Sequence, residues 1–145
     1  MLANRLIDSL YTEAMVLADE VRAYFDDIDR AARDVLDPMD RVLFSCESLK
    51  ITTRLMHVIA WLLTQRAVEV GEISADGARE PSRRLGGRVE SDAATVARLP
   101  AEAQRFVEAS MALYARVARI EAGFDDDLPA ASPARQLHNR LQQSF

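Results

Sequence analysis

The chain of 145 residues is the size of one domain, and its 49% of apolar and 28% of charged residues are typical of a water-soluble globular protein. Glycine and proline are scarce, with five of each, which favours an all-α fold. The net charge of −5 argues against binding to nucleic acid, which requires a basic stripe, and the single cysteine excludes an internal disulfide.

The first predicted helix covers residues 3–28, where apolar residues recur alternately three and four positions apart. A second helix is predicted over residues 38–70. Asp37 is its expected N-cap, Pro38 occupies the first helical position, and Gly71 stands where a C-terminal stop belongs.

The second helix carries two apolar lines on nearly opposite sides. The first line, from Met39 to Val70, predicts the side that faces the core of a three-helix bundle, and it includes Cys46 as a buried thiol. The second line has no obvious cover from two other helices, so it predicts a homodimer. The predicted dimer interface consists of Ile51, Leu55, Val58 and Leu62.

A polar edge runs between these two lines and contains Arg54, His57 and Trp61. One interpretation is that the charges along this edge, Glu47, Lys50 and Arg54, are neighbouring surface charges that mildly support the helix. The other is that Arg54, His57 and Trp61 line a partner-binding surface, because arginine and tryptophan often dominate protein interfaces.

Residues 71–99 are rich in glycine, serine and arginine and are interpreted as a mobile link with a short helix near residues 92–98. We interpret its arginines, Arg83, Arg84 and Arg88, as parts of a solvated loop. The alternative is a docking site for an acidic partner or a nucleotide phosphate.

The third helix is predicted over residues 100–122, which completes an antiparallel three-helix bundle over residues 1–123. Residues 124–145 are expected to form a disordered tail. Three apolar residues at its end are four positions apart and could dock on a partner as one side of a helix. They are Leu137, Leu141 and Phe145.

Catalytic, metal and cofactor sites are not expected. His57 and His138 are each preceded three positions earlier by arginine, so the Glu-x-x-His pattern of a di-iron bundle is absent from the sequence. Cys46 and His57 would lie about 16 Å apart along the same helix, too far for a nucleophile and its base. The sequence therefore predicts neither an enzyme nor a small-molecule substrate, and it contains no membrane span or secretion signal, which predicts a cytoplasmic protein.

The segment Cys46–Glu72 resembles the RcdA-like family of alphaproteobacteria, named for regulation of CtrA degradation. Glu-Ser at positions 47–48, Thr-Thr-Arg-Leu-Met at 52–56, Trp-Leu-Leu at 61–63 and Arg-Ala-Val at 66–68 carry the resemblance, which extends over about residues 5–122.

This resemblance implies a dimeric three-helix bundle that acts as an adaptor and helps deliver regulatory proteins to the ClpXP protease during the cell cycle. The implied partners are the protease ATPase, a priming factor and the regulators that are degraded. Two alternatives remain open from the residues alone. These are a helical, transcription-related regulator and a structural dimer without a role in proteolysis.

Overall fold

The protein is described by a computed structural model that covers residues 2–28 and 34–130, with side chains over residues 4–26 and 34–125. All of its regular structure in these ranges is helical, which confirms the predicted all-α bundle. The α-helices are α1 (Leu2–Ala23), α2 (Pro38–Glu69), α3 (Ala93–Val96) and α4 (Ala101–Ala130). None of the helices described is long and apolar enough to span a bilayer.

The chain divides into two compact units, residues 1–114 and residues 115–145. The first contains α1, α2, α3 and the start of α4, and the second contains the rest of α4. The sites described below lie in the first unit.

A cluster of aromatic rings joins the three long helices of the first unit. α1 continues into a π-helical turn at Tyr24–Ile28, which places two adjacent rings toward the core. The ring centroids of Tyr24 and Phe106 are 5.4 Å apart, and those of Phe25 and Phe44 are 5.1 Å apart. These separations are those of favourable aromatic pairs, so the cluster fixes α1 against α2 and α4.

The predicted ends of α2 are confirmed by their hydrogen bonds. The Asp37 carboxylate accepts a hydrogen bond from the backbone N–H of Asp40 at 2.9 Å, and Pro38 is the first helical residue. At the other end, Gly71 has a φ of 80° and its N–H bonds the carbonyl oxygen of Val68. The N–H of the next residue, Glu72, bonds the carbonyl oxygen of Ala67, which completes a Schellman motif.

The two apolar lines of α2 are arranged in the opposite way to the prediction. Ile51, Leu55, Val58 and Leu62 are at most 3% exposed within a single chain, so they form core and not an exposed dimer surface. The physical reason is that this line faces α1, as the contact between Phe44 and Phe25 shows.

The first apolar line of α2 is on the solvent side. Its large residues are 46–69% exposed, and Cys46 is also exposed and not a core thiol. We call this surface the exposed stripe of α2. It consists of Met39, Val42, Leu49, Met56, Leu63 and Val70.

Residues 71–99, which the sequence predicts to be a link with a short helix, contain 3₁₀ turns at Gly77–Arg79 and Pro81–Arg83 and that short helix, observed as α3. One further prediction needs correction. The third long helix does not stop before Gly123 but continues to Ala130, because Gly123 does not adopt the left-handed conformation found at Gly71. Residues 131–145, with the predicted docking residues Leu137, Leu141 and Phe145, lie outside the described residues.

Candidate functional site

The polar edge of α2 is covered by part of the connection between α2 and α3. We call residues 80–91 the strap. Backbone or side-chain atoms of Gly87, Val89 and Ser91 bond to α2 residues that lie 30 to 44 positions earlier in the chain. The strap and the polar edge together form the candidate functional site.

Arg54 is the centre of the contact between α2 and the strap. Its side chain is completely buried, and each of its three nitrogens donates a hydrogen bond to a different residue. Nε donates to the carbonyl oxygen of Val89 at 2.7 Å, and Nη2 donates to the hydroxyl of Ser91. Nη1 donates to Oγ of Ser110 at 3.1 Å, so one guanidinium joins α2, the strap and α4.

A buried carboxylate extends this hydrogen-bond network. The Ser91 hydroxyl donates to Oε2 of Glu47 at 2.6 Å, and Nζ of Lys50 lies 3.0 Å from Oε1. Glu47 is 2% exposed. Both of its oxygens therefore have a partner, which offsets the cost of removing the charge from water.

The charge of Arg54 is maintained despite its burial. Desolvation lowers the pKa of the guanidinium, and the carboxylates of Glu47 and Glu90 act in the opposite direction. Because arginine is not deprotonated in proteins, the side chain stays charged. A buried cation needs all of its hydrogen-bond partners, so Arg54 fixes the position of the strap.

His57 contacts the strap at two adjacent glycines. Its Nδ1 lies 3.0 Å from the carbonyl oxygen of Gly87. Gly86 lies so close to the imidazole that a Cβ at this position would be 2.5 Å from the ring. The carbonyl oxygen of Gly86 also accepts a hydrogen bond from the Tyr114 hydroxyl. Position 86 therefore requires glycine because of close packing on both sides.

A half-open pocket of about 510 Å³ lies between α2 and the strap. His57, Trp61 and Thr64 line it from α2, and Arg83 and Arg84 line it from the strap. We call it the arginine pocket. Its walls combine guanidinium, imidazole and hydroxyl groups, which suits it to bind polar or anionic groups.

The three residues of the polar edge that are predicted to bind a partner differ in their accessibility. Arg54 is fully buried and Trp61 is 2% exposed, so neither presents a surface that a partner could reach, in contrast to the prediction. The strap, which the sequence did not place here, covers them. His57 is half-buried and lines the arginine pocket, so it stays a candidate.

Several residues of this site were not predicted. Glu47, which one interpretation of the sequence places among the surface charges, is buried, while Ser91 and Ser110 carry no motif that marks them as partners of Arg54. The available signal was the position of Trp61, a large apolar side chain on an otherwise polar edge. Among the side chains described, no three histidine, cysteine or acidic residues come together as a metal site.

A second concave surface lies between α1 and α2. It is a groove of about 320 Å³ whose lining includes Ala18, Val21 and Phe25 from α1 and its π-helical turn, and Met56 and Ile59 from α2. Met56 belongs to the exposed stripe, so the groove and the stripe form one continuous apolar surface.

The fold and the site define a small all-α bundle in which a buried arginine holds a covering strap against the central helix. Residues 1–145 match the profile of a family described as a protein of unknown function, DUF1465, so the chain belongs to this family. It is also similar to the crystal structure of RcdA from Caulobacter crescentus CB15, with 34% sequence identity and a TM-score of 0.66. The match covers 80% of this chain and 88% of that chain and confirms the resemblance seen in the sequence. A comparison with curated proteins finds no match.

Proposed function

We propose that the protein is a non-enzymatic, cytoplasmic adaptor that helps deliver regulatory proteins to the ClpXP protease in cell-cycle-linked proteolysis. The observation that supports this proposal is the similarity to RcdA, at 34% identity over 80% of the chain. The partners in this proposal are the protease ATPase, a priming factor and the regulators that are degraded.

An adaptor needs separate surfaces for separate partners, and the first unit offers two. One is the arginine pocket, which is polar. The other is the exposed stripe of α2 with the adjoining groove, which is apolar. Contiguous apolar surface of this kind ordinarily marks a binding site for another protein.

In this proposal the exposed stripe mediates a homodimer. Positions 39, 42, 46, 49, 53, 56, 60, 63, 67 and 70 alternate three and four apart, which is the 3.5-residue period of a coiled-coil seam. Two copies of α2 could therefore pack along the whole stripe. The proposal therefore retains the homodimer. Its interface is the exposed stripe, on the side of α2 opposite to the predicted interface at Leu55.

The C-terminal segment keeps its proposed role as a docking element. Leu137, Leu141 and Phe145 would contact a partner as one side of a helix, while the described residues, 2–28 and 34–130, supply the fold. Truncation after Ala130 is the corresponding test. The shortened chain should keep its helical circular-dichroism signal and lose adaptor activity, whereas undiminished activity would exclude a role for the segment.

The proposed function is tested by comparing protein half-lives in two strains of the host, one lacking this protein and one lacking the ClpX ATPase. Cargo proteins should be stabilised in both strains. Each such protein is then degraded by purified ClpXP in a lysate of the strain that lacks this protein, which supplies the priming factor, with and without the purified adaptor, and the adaptor should increase the rate. The proposal is wrong if the two strains stabilise no protein in common, or if the purified adaptor leaves every rate unchanged.

A further inference from the structure

We propose that the arginine pocket binds an acidic peptide segment of a protein partner, whose side-chain carboxylates pair with the guanidinium groups of Arg83 and Arg84. This inference rests on the proposed adaptor function and names the chemistry that one partner should present. The observations that support it are the local charge, the fixed geometry of the strap and the shape of the pocket.

The strap region is basic in a chain that is acidic as a whole. The strap, residues 80–91, carries three arginines and two glutamates, a net charge of +1, whereas the chain carries a net charge of −5. Among the residues that the structure describes, Arg83 donates one hydrogen bond, from Nη1 to the carbonyl oxygen of Gly77 at 3.2 Å, and Glu80 is 4.0 Å away. A guanidinium has five N–H donors, and the Arg83 side chain is 43% exposed, so it can bind a carboxylate from solution.

The strap holds these arginines in place before a partner arrives. Pro81 opens the 3₁₀ turn that carries Arg83, and the contacts of Gly86 and Gly87 with α2 and α4 follow directly after Arg84 and Leu85. A preorganised site loses less conformational entropy when it binds than a flexible loop does. The fixed strap therefore favours a specific site over a diffuse basic patch.

The same geometry favours a peptide carboxylate over a nucleotide. Trp61 lines the pocket but is 2% exposed, so its ring offers no free face on which a base could stack. Gly86 and Gly87 direct their carbonyl oxygens to Tyr114 and His57, which does not form the N–H cradle of a phosphate-binding loop. Planar guanidinium groups bind carboxylates and phosphates alike by two-point hydrogen bonding, so the preference for a peptide rests on the covered ring of Trp61 and on the carbonyl directions of Gly86 and Gly87. The volume of 510 Å³ can hold more than one acidic side chain.

Trp61 provides the readout because it is the single tryptophan of the chain and lines the pocket. The full-length protein is titrated with a blocked peptide of about ten alternating glutamate and alanine residues, enough to place several carboxylates on the pocket. The fluorescence emission of Trp61 should change until the pocket is saturated. The affinity for the acidic peptide should fall as the salt concentration rises from about 0.05 to 0.5 M. The glutamine version of the peptide should not bind. A glutamine peptide with a free C-terminus carries only a terminal carboxylate. Its binding therefore shows whether a terminal carboxylate can replace the side-chain carboxylates of the acidic peptide.

Two double variants, each of which removes two positive charges, distinguish binding in the arginine pocket from attraction by the overall charge of the protein. Arg83→Gln with Arg84→Gln should weaken binding about tenfold or more, because charge-assisted hydrogen bonds are lost. Arg22→Gln with Arg79→Gln, which removes two arginines outside the pocket lining, should change affinity less than about threefold. Arg84 has interactions of its own within the chain, so the single variant Arg83→Gln is measured as well. It should weaken binding while leaving the helical circular-dichroism signal unchanged, because the Arg83 side chain is 43% exposed and donates one hydrogen bond, to Gly77.

The pocket assignment is overturned if the acidic peptide shows no saturable binding, or if both double variants weaken it equally. It is also overturned if inorganic phosphate or the glutamine peptide with a free C-terminus binds as tightly, since a small anion or a terminal carboxylate would then be the ligand. None of these results decides the outcome of the ClpXP degradation assay, which tests the proposed function separately. Peptide binding without any effect on degradation would instead contradict the proposed adaptor function.

Discussion

Nε of Arg54 lies 2.7 Å from the carbonyl oxygen of Val89, and this bond joins the middle of α2 to a residue 35 positions later in the chain. If the strap left α2, the Arg54 guanidinium would lose two of its three hydrogen bonds, and Glu47 would lose its bond from Ser91. The stability of the bundle and the position of the arginine pocket are therefore coupled through one side chain.

Replacing Arg54 with methionine should destabilise the protein by about 3–5 kcal/mol, because the change removes one partner from a buried, charged network. Arg54→Lys should recover only part of this loss, since an ammonium group cannot reproduce the planar arrangement of three donors. The free energy of unfolding is measured by urea denaturation followed by circular dichroism.

Arg66→Met is the matched control for this prediction. Arg66 is also on α2, but its side chain is 45% exposed and its ion pair with Asp8 spans 3.4 Å. Arg66 also lies 4.7 Å from the centre of the Tyr11 ring, and the loss of both exposed contacts should cost less than about 2 kcal/mol. An Arg54→Met variant as stable as Arg66→Met would show that the strap network contributes little.

The two glycines of the strap should respond differently to the same substitution. Gly86→Ala places a Cβ 2.5 Å from the His57 ring, so the strap or the imidazole must move, at a cost of about 1–3 kcal/mol. Gly87→Ala meets no atom within 4 Å and should be nearly neutral. Hydrogen exchange of residues 84–91 should accelerate only in Gly86→Ala. Equal exchange in the two variants would mean that the strap does not pack on His57 in solution.

The sequence predicted those parts of the fold that depend on local chemistry. Asp37, Pro38 and Gly71 mark the ends of α2 because capping and left-handed φ require particular residue types, whatever surrounds them. The alternation of three and four residues likewise predicted the long helices. Gly123 shows the limit of such reasoning, since a glycine that is compatible with a helix stop does not enforce one.

The orientation of α2 and most of the site could not be predicted, because they depend on distant contacts. Both sides of α2 are apolar, so the period alone does not reveal that Leu55 is buried and Leu49 exposed. Both interpretations of the sequence place Arg54 on a surface, because it lies on the polar edge between the two apolar lines. Its burial depends on Val89, Ser91 and Ser110, which come from the strap and from α4 and share no pattern with α2.

Charge on the exposed stripe should dissociate the proposed homodimer without unfolding the chain. Leu49→Glu with Met56→Glu changes two side chains that are 69% and 63% exposed, so the helical signal should stay constant while the mass falls to that of a monomer. Light scattering at micromolar concentration is the measurement.

Two further variants separate loss of the interface from other effects. Val16→Glu, at an exposed apolar position on α1 that is 52% accessible, should leave the dimer intact. Leu55→Glu buries a charge in the core and should unfold the protein instead of producing a folded monomer. A wild type that is monomeric, or a Leu49 and Met56 variant that stays dimeric, would contradict the proposed interface.

The same substitution at Gly71 and Gly123 should have opposite effects on stability. Gly71 has a φ of 80°, so Gly71→Ala forces a side chain into the left-handed region and should cost about 1–2 kcal/mol. Gly123 lies inside α4, where a Cβ meets no atom within 4 Å, so Gly123→Ala should stabilise the helix by about 0.5–1 kcal/mol. Urea denaturation measures both, and circular dichroism should show equal or greater helicity for Gly123→Ala. Destabilisation by Gly123→Ala would instead indicate that the helix ends at this glycine, as the sequence pattern predicts.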